Sequence, residues 1–176
     1  MSMIIELSTD GSCYPNPGPG GWAAIFRTPG HAKAIFGYAP YTTNIQMEMT
    51  AVIEALEYLK KGSEINLYTD SEITLKGATV WLNRWKQNGF MTAAYNNQPP
   101  KPVANQALWV RLDEAMKRHK INWTWVRGHA YHPDNLLCDK IALEARNSQL
   151  RGERILEEPV VEPDTPGQRA ISFEDE

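Results

Sequence analysis

Two segments of the 176-residue chain repeat one local pattern, Ile5-Glu6-Leu7-Ser8-Thr9-Asp10-Gly11 and Ile65-Asn66-Leu67-Tyr68-Thr69-Asp70-Ser71. Each sets an aspartate after alternating apolar residues, at the same parity. Successive strand side chains point to opposite faces. If the two strands are parallel neighbours, Asp10 and Asp70 therefore lie side by side at strand C-terminal ends, where open α/β sheets hold their ligands. For either aspartate alone, a strand end followed by an Asx turn is an equally good account. Glu48 shares a helix face with Val52, Ala55 and Leu59, whereas Glu54 and Glu57 fall on the other side with Lys60 and Lys61. A single Glu in a first helical turn is also explained by the positive helix end. Asp139, about two turns into a last helix, sits between Leu136 and Ala142/Leu143, which places it toward the sheet. Four carboxylates that converge without countercharge repel one another and lose hydration. Two Mg2+ neutralise them and take the oxygen ligands that hard cations require, which is a two-metal phosphoryl-transfer device.

The elements that must position these acids are legible in the hydrophobic period. Residues 3 to 10 alternate as a strand, the Pro- and Gly-rich run after them is a hairpin turn, and Trp22–Arg27 and Ala34–Tyr38 complete a meander. That run lacks the Gly-Lys-Ser/Thr of a phosphate-cradling loop. Thr43 and Gln46 have capping-box spacing, and Ile45, Met49, Val52, Ile53, Leu56 and Leu59 make a helical stripe ending at Gly62. Residues 64 to 69 form a strand parallel to the first if this helix is the crossover. Helical patterns follow at 71 to 88, with a break near Gly77 to Trp81, and at 105 to 119. A strand holds Ile121, Trp123 and Trp125, and Pro133 opens the final helix. The order βββαβααβα predicts an α/β fold with a five-stranded mixed sheet, three strands antiparallel and then two parallel, flanked by helices.

Charge divides the chain near residue 150. Residues 151–176 hold three Arg against eight acids and include Pro159, Pro163 and Pro166, whereas residues 1–150 carry 15 bases and 13 acids. The expectation is a catalytic domain over 1–150 and a disordered acidic tail over 151–176 that repels phosphates or binds a basic partner. No apolar run is long enough for a membrane span, and no secretory signal is visible. Cys13 and Cys138 are too few for a disulfide framework. A cytoplasmic monomer is the expectation.

Taken together, several motifs resemble bacterial type 1 ribonuclease H over residues 4–146. They are Thr9-Asp10-Gly11-Ser12-Cys13 with Asn16-Pro17-Gly18-Pro19-Gly20-Gly21, Thr43-Asn44-Ile45-Gln46-Met47-Glu48, Thr69-Asp70-Ser71, Trp81 with Trp85, and Val126-Arg127-Gly128-His129-Ala130-Tyr131-His132-Pro133 through Cys138-Asp139. The resemblance implies a ribonuclease H-like fold and hydrolysis of the RNA strand of RNA/DNA hybrids with two Mg2+, leaving 5′-phosphate and 3′-hydroxyl ends; Mn2+ is an alternative ion. It implies that Asp10 bridges both ions, that Asp139 helps hold the ion that activates water, and that Glu48 and Asp70 hold the ion at the leaving oxygen. It gives His129, on a Gly-flanked loop, an auxiliary proton-shuttle part. A zinc pair of His129 with His132 lacks the spacing of a third ligand.

For the substrate, the resemblance places backbone near Cys13 and the side chains of Asn16 and Asn44 in the hybrid's minor groove, where the 2′-hydroxyl marks RNA. Thr43 and Asn105 match a phosphate pocket for the DNA strand. Trp81, Trp85 and Lys86 match a basic handle, and Glu72 falls at a further contact position. Two departures weaken this surface: Ile45 and Glu72 stand where the family often has Asn and Gln, and the handle carries a single Lys in residues 85–91. Arg84, Lys86 and Lys101 either replace the missing cluster in part or mark a solvated helix end. Trp22, Trp109, Trp123 and Trp125 read as core. The alternatives are a DNA resolvase or integrase of the same broad fold, and a non-catalytic hybrid-binding module.

Overall fold

The structure, a computed structural model, describes residues 3–127 and 132–157. The first three strands, β1 (Ile4–Cys13), β2 (Gly18–Thr28) and β3 (His31–Thr42), form the antiparallel meander. Thr28 pairs with His31, so the β2–β3 turn has only two residues, and its left-handed position (φ +78°) is filled by Gly30. The crossover helix α1 (Asn44–Tyr58) then makes β4 (Glu64–Thr69) parallel to β1. Their register runs from Ile4 opposite Glu64 to Ser8 opposite Tyr68, and the same offset sets Asp10 beside Asp70.

The expected break near Gly77 is a π-helical segment over Gly77–Trp81, between α2 (Glu72–Lys76) and α3 (Leu82–Gln87). Gly77 lies against the indole of Trp109, where a Cβ would have no room. Helix α4 (Gln106–Met116), strand β5 (Lys120–Trp125) and helix α5 (Pro133–Ser148) follow. Alternation divides the sheet's residues between two cores. Leu7, Ala24, Phe26 and Ile35 pack with α1 and Trp109 on one face, whereas Ala23, Ile25 and Ala34 pack with Cys138, Ile141 and Ala142 of α5 on the other. The even-numbered side chains of β1, Asp10 among them, have the parity of the α5 face.

Among the described residues the sheet has six strands where five are expected, in the order β5-β4-β1-β2-β3-β6. The sixth, β6 (Gly152–Ile155), pairs antiparallel with β3, and the Leu156 N–H donates to the Ala32 carbonyl at 2.9 Å. Charge composition alone had put these residues in the tail. Backbone pairing needs no apolar side chains, and all four β6 residues are exposed. The rest of the expected tail, residues 158–176, lies outside the described residues.

Candidate active site

Asp10, Glu48 and Asp70 come together at the C-terminal ends of β1 and β4, with one carboxylate oxygen of each within 4.8 Å of the others. Strand parity accounts for the two aspartates. Glu48 reaches them because Gly11 lacks a side chain: a Cβ there would stand 2.5 Å from the Glu48 backbone nitrogen and 2.6 Å from the Met47 carbonyl carbon. The start of α1 is fixed by Thr43, whose hydroxyl accepts from the Gln46 N–H at 3.2 Å. Asp139 is outside this trio, on the exposed margin of α5, yet close enough for its charge to raise the pKa of both Asp10 and Asp70. Of the neighbours expected to mark its face, only Ala142 is buried. Leu136 and Leu143 are exposed, and Asn135, Cys138, Ile141, Ala142 and Ala145 form the buried stripe.

The electrostatics are those of buried and half-buried carboxylates that repel one another. Asp10 is buried, and desolvation, followed by the charge of Asp70, pushes its pKa up to about 8 against a hydrogen bond from the Gly11 N–H at 2.8 Å. Burial also raises Asp70 and Glu48, the latter partly offset by a hydrogen bond with the Ser71 side chain. Among the described residues no Lys or Arg forms an ion pair with any of the four acids. One carboxylate oxygen of Asp70 is buried and has no hydrogen-bond partner. A hard divalent cation would meet both conditions, supplying positive charge and a ligand position for that oxygen.

Around the cluster, Cys13 is buried beneath the β1–β2 turn, and the Asn44 N–H donates to Asn16 Oδ1 at 3.2 Å, which joins the turn to the start of α1. Gln46 completes only half of a capping box. Its side-chain amide donates instead to Asn105 Oδ1 at 3.0 Å and accepts from the Thr42 hydroxyl at 3.0 Å. Thr43 and Asn105 are thereby linked, and Gln46 is a member of that group which the capping reading passed over. Asn105 itself holds a left-handed backbone (φ +59°) at the head of α4. Ile45 packs against the core, and the charge of Glu72 is met on its own helix by Lys76 at 2.7 Å. The Trp81 and Trp85 rings lie 5.8 Å apart, and Trp85 contacts Trp109 at 5.0 Å. Lys86 pairs with Asp113 of α4 at 3.2 Å, so the handle's single Lys is anchored to the protein.

Trp125 was expected in the core and is 44% exposed. Its indole N–H donates to the Asp70 carbonyl at 3.2 Å, and the Arg127 guanidinium lies 5.7 Å from its ring. Strand alternation cannot distinguish a core tryptophan from one at an edge strand's open end. His129 lies outside the described residues. His132 is the N-cap of α5, accepting from the Asn135 N–H at 3.2 Å and packing on Tyr68. Asp134, four residues before Cys138, forms a two-pronged ion pair with Arg27 at 2.9 and 2.8 Å.

Comparison with known proteins gives this cluster its setting: the family model for RNase H matches residues 3–147. The chain belongs to the ribonuclease H family. Curated relatives named Ribonuclease H include one from Solibacter usitatus, 48% identical over 145 residues that cover 82% of this chain and 96% of the relative. Another from Chelativorans sp. is 51% identical over 138 residues, covering 78% and 82%. Among solved structures, LC9-RNase H1, a type 1 RNase H with the type 2 active-site motif, superposes with a TM-score of 0.76 at 27% identity, covering 90% of this chain and 79% of that one. The fold also matches that of LC11-RNase H1 in complex with RNA/DNA hybrid, with a TM-score of 0.60 at 19% identity and coverage of 82% and 98%. The protein is accordingly an endonuclease of the ribonuclease H family, and its acid cluster agrees with that family's dependence on metal.

Proposed function

We propose that this ribonuclease H cuts the RNA strand of RNA/DNA hybrids at the Asp10 cluster with two Mg2+, leaving 5′-phosphate and 3′-hydroxyl ends. The observation that carries the reading is the convergence of Asp10, Glu48 and Asp70, with no Lys or Arg ion-paired to them among the described residues and with an unpartnered Asp70 oxygen. Asp10, Glu48, Asp70 and Asp139 would hold the ions, which when bound supply Lewis acidity for the attacking water and the leaving oxygen. The chain's own contribution is placement. Asp10 gives up the proton that burial favours, Gly11 keeps Glu48 at its side, and α5 brings Asp139 to the rim. His129 exchanges a proton with the departing product.

Substrate recognition in this reading falls to the joined Asn16–Asn44 pair in the minor groove, to backbone near Cys13, and to the Thr43–Gln46–Asn105 group on a DNA phosphate. Trp81 and Trp85 offer an apolar surface, and Glu72 and Lys86, each ion-paired, contribute little charge. The protein works as a cytoplasmic monomer; no helix among the described residues is long and apolar enough to cross a membrane. The test uses end-labelled RNA/DNA hybrid, double-stranded RNA and double-stranded DNA under Mg2+. Cleavage of RNA in the hybrid alone is expected. Cutting of duplex DNA favours a resolvase-type enzyme, and binding without cutting favours a recognition module.

A further inference from the structure

Nearly half of the Lys and Arg side chains among the described residues are held by carboxylates. Among the described residues, eight Lys and Arg side chains sit in ion pairs, Lys86 of the handle included. Arg146 differs. It is half-buried in the last turn of α5, and its contacts are with neutral groups: Nη1 donates to the Ser12 hydroxyl at 2.8 Å and Nε donates to Asn147 Oδ1 at 3.2 Å. Its guanidinium lies 5.9 Å from the ring of Tyr14, which is 74% exposed. The negative end of a helix explains a cation in its last turn. It does not explain a side chain drawn across to a different element and fixed there by a hydroxyl and an aromatic face.

The placement follows from the backbone. Gly21 pairs with Ser12, and a Cβ on Gly21 would strike the Ala142 carbonyl and the Arg146 backbone, so the end of α5 lies directly on the β1–β2 hairpin. Arg146 follows Asp139 by seven residues, which is about 10 Å along the helix and within about 20° of the same face. Ser12 follows Asp10 by two residues on β1, with the same parity. Arg146 therefore continues the row begun by the acids, beside the carboxylate cluster and not in it. Tyr14 lies in sequence between Cys13 and Asn16.

Resting on the proposed hybrid cleavage, the geometry points to Arg146, held by Ser12 and Tyr14, as a clamp for a backbone phosphate of the cleaved strand, adjacent to the bond that is cut. A guanidinium without a carboxylate partner retains its charge for phosphate. Fixing it in advance lowers the entropy lost on binding. It supplies, from α5 and the β1–β2 turn, positive charge that the handle lacks.

The experiment measures hybrid binding and cleavage across 50 to 200 mM salt for wild type, Arg146→Gln, Arg146→Lys and Tyr14→Leu, with melting temperature as a folding control. Losing one phosphate contact lowers the slope of log affinity against log salt by about 0.7 to 0.9, so the fourfold salt change costs Arg146→Gln roughly threefold less affinity than wild type. KM should rise while kcat at saturating hybrid holds. Arg146→Lys should keep the slope, and Tyr14→Leu should raise KM with the slope intact. Hybrids with one neutral methylphosphonate linkage, moved stepwise along either strand, locate the contact. One position in the RNA strand should weaken wild type and leave Arg146→Gln unaffected. An unchanged slope and KM in Arg146→Gln overturns the clamp, as does a sensitive position found only in the DNA strand. A wild type that cuts the hybrid while its clamp variants match it refutes the clamp alone; a wild type that neither binds nor cuts the hybrid overturns both readings.

Discussion

In the absence of metal, Asp10 should destabilise the protein that it serves. Its folded-state pKa of about 8 lies far above the ordinary 3.8. Between these values the folded protein binds more protons than the unfolded chain, so this group's contribution to stability is greatest below about pH 4, falls as pH rises, and is gone above about 8, where the protein carries the full cost of the buried charge. At about 1.36 kcal/mol per unit the ceiling is about 6 kcal/mol. Sharing the proton with Asp70 and relaxation of the open cluster bring the expected effect down to about 1–3 kcal/mol. Asp10→Asn removes it, because an amide is neutral throughout and its oxygen still accepts from the Gly11 N–H. For a domain of roughly 150 residues this is about 3–10 °C in melting temperature. Melts of wild type and Asp10→Asn in EDTA from pH 4 to 9 should converge at low pH and separate toward pH 8, with the variant more stable and inactive. Saturating Mg2+ should raise wild type and leave the variant nearly unmoved. Parallel curves, or a variant less stable at pH 8, would refute the argument from burial and repulsion.

Three further outcomes are expected. Asp139→Asn should lose most Mg2+-dependent turnover and keep its stability, whereas Asp134→Asn should keep turnover and lose about 1–2 kcal/mol with the Arg27 pair, both read by kinetics and melts on one hybrid. Gly11→Ala should cost about 1–3 kcal/mol of overpacking and reduce kcat together with it, because the new methyl displaces the backbone that carries Glu48. Ending the chain at Leu150 should lower the melting temperature by several degrees, since β6 and the roughly 1–2 kcal/mol from Leu156 packing on the α5 core are removed, whereas ending it at Glu157 should not.

The alternating runs before Asp10 and Asp70 carried enough information to set the two acids side by side, because strand parity and a parallel register leave little freedom. The stripe of α1 likewise turned Glu48 inward, although the reason it can approach, the bare Cα of Gly11, is a matter of contact distance and has no periodic signature. Strand β6 escaped notice because its pairing depends on backbone groups and its side chains are polar or exposed. Leu136 and Leu143 misled as markers of a buried face, since an exposed leucine is common and Cys138 with its alanine neighbours fills the tight gap against β1 and β2. The Gln46–Asn105 bond and the exposed Trp125 depend on tertiary neighbours far away in sequence. The parts of the site that periodicity predicts are therefore its carboxylates, and the parts it misses are the neutral groups around them.

In the proposed reading these acids assemble a divalent-metal site for cutting RNA in a hybrid. Calorimetric titration of Mg2+ into wild type and Asp10→Asn, each with a hybrid whose RNA strand is made uncleavable, tests it most directly. Saturable binding of two ions to the wild-type complex is expected, with loss of that signal in Asp10→Asn and cleavage of the ordinary hybrid only when Mg2+ is present. Equal Mg2+ binding by both proteins, or hybrid cleavage in EDTA at the Mg2+ rate, would contradict it.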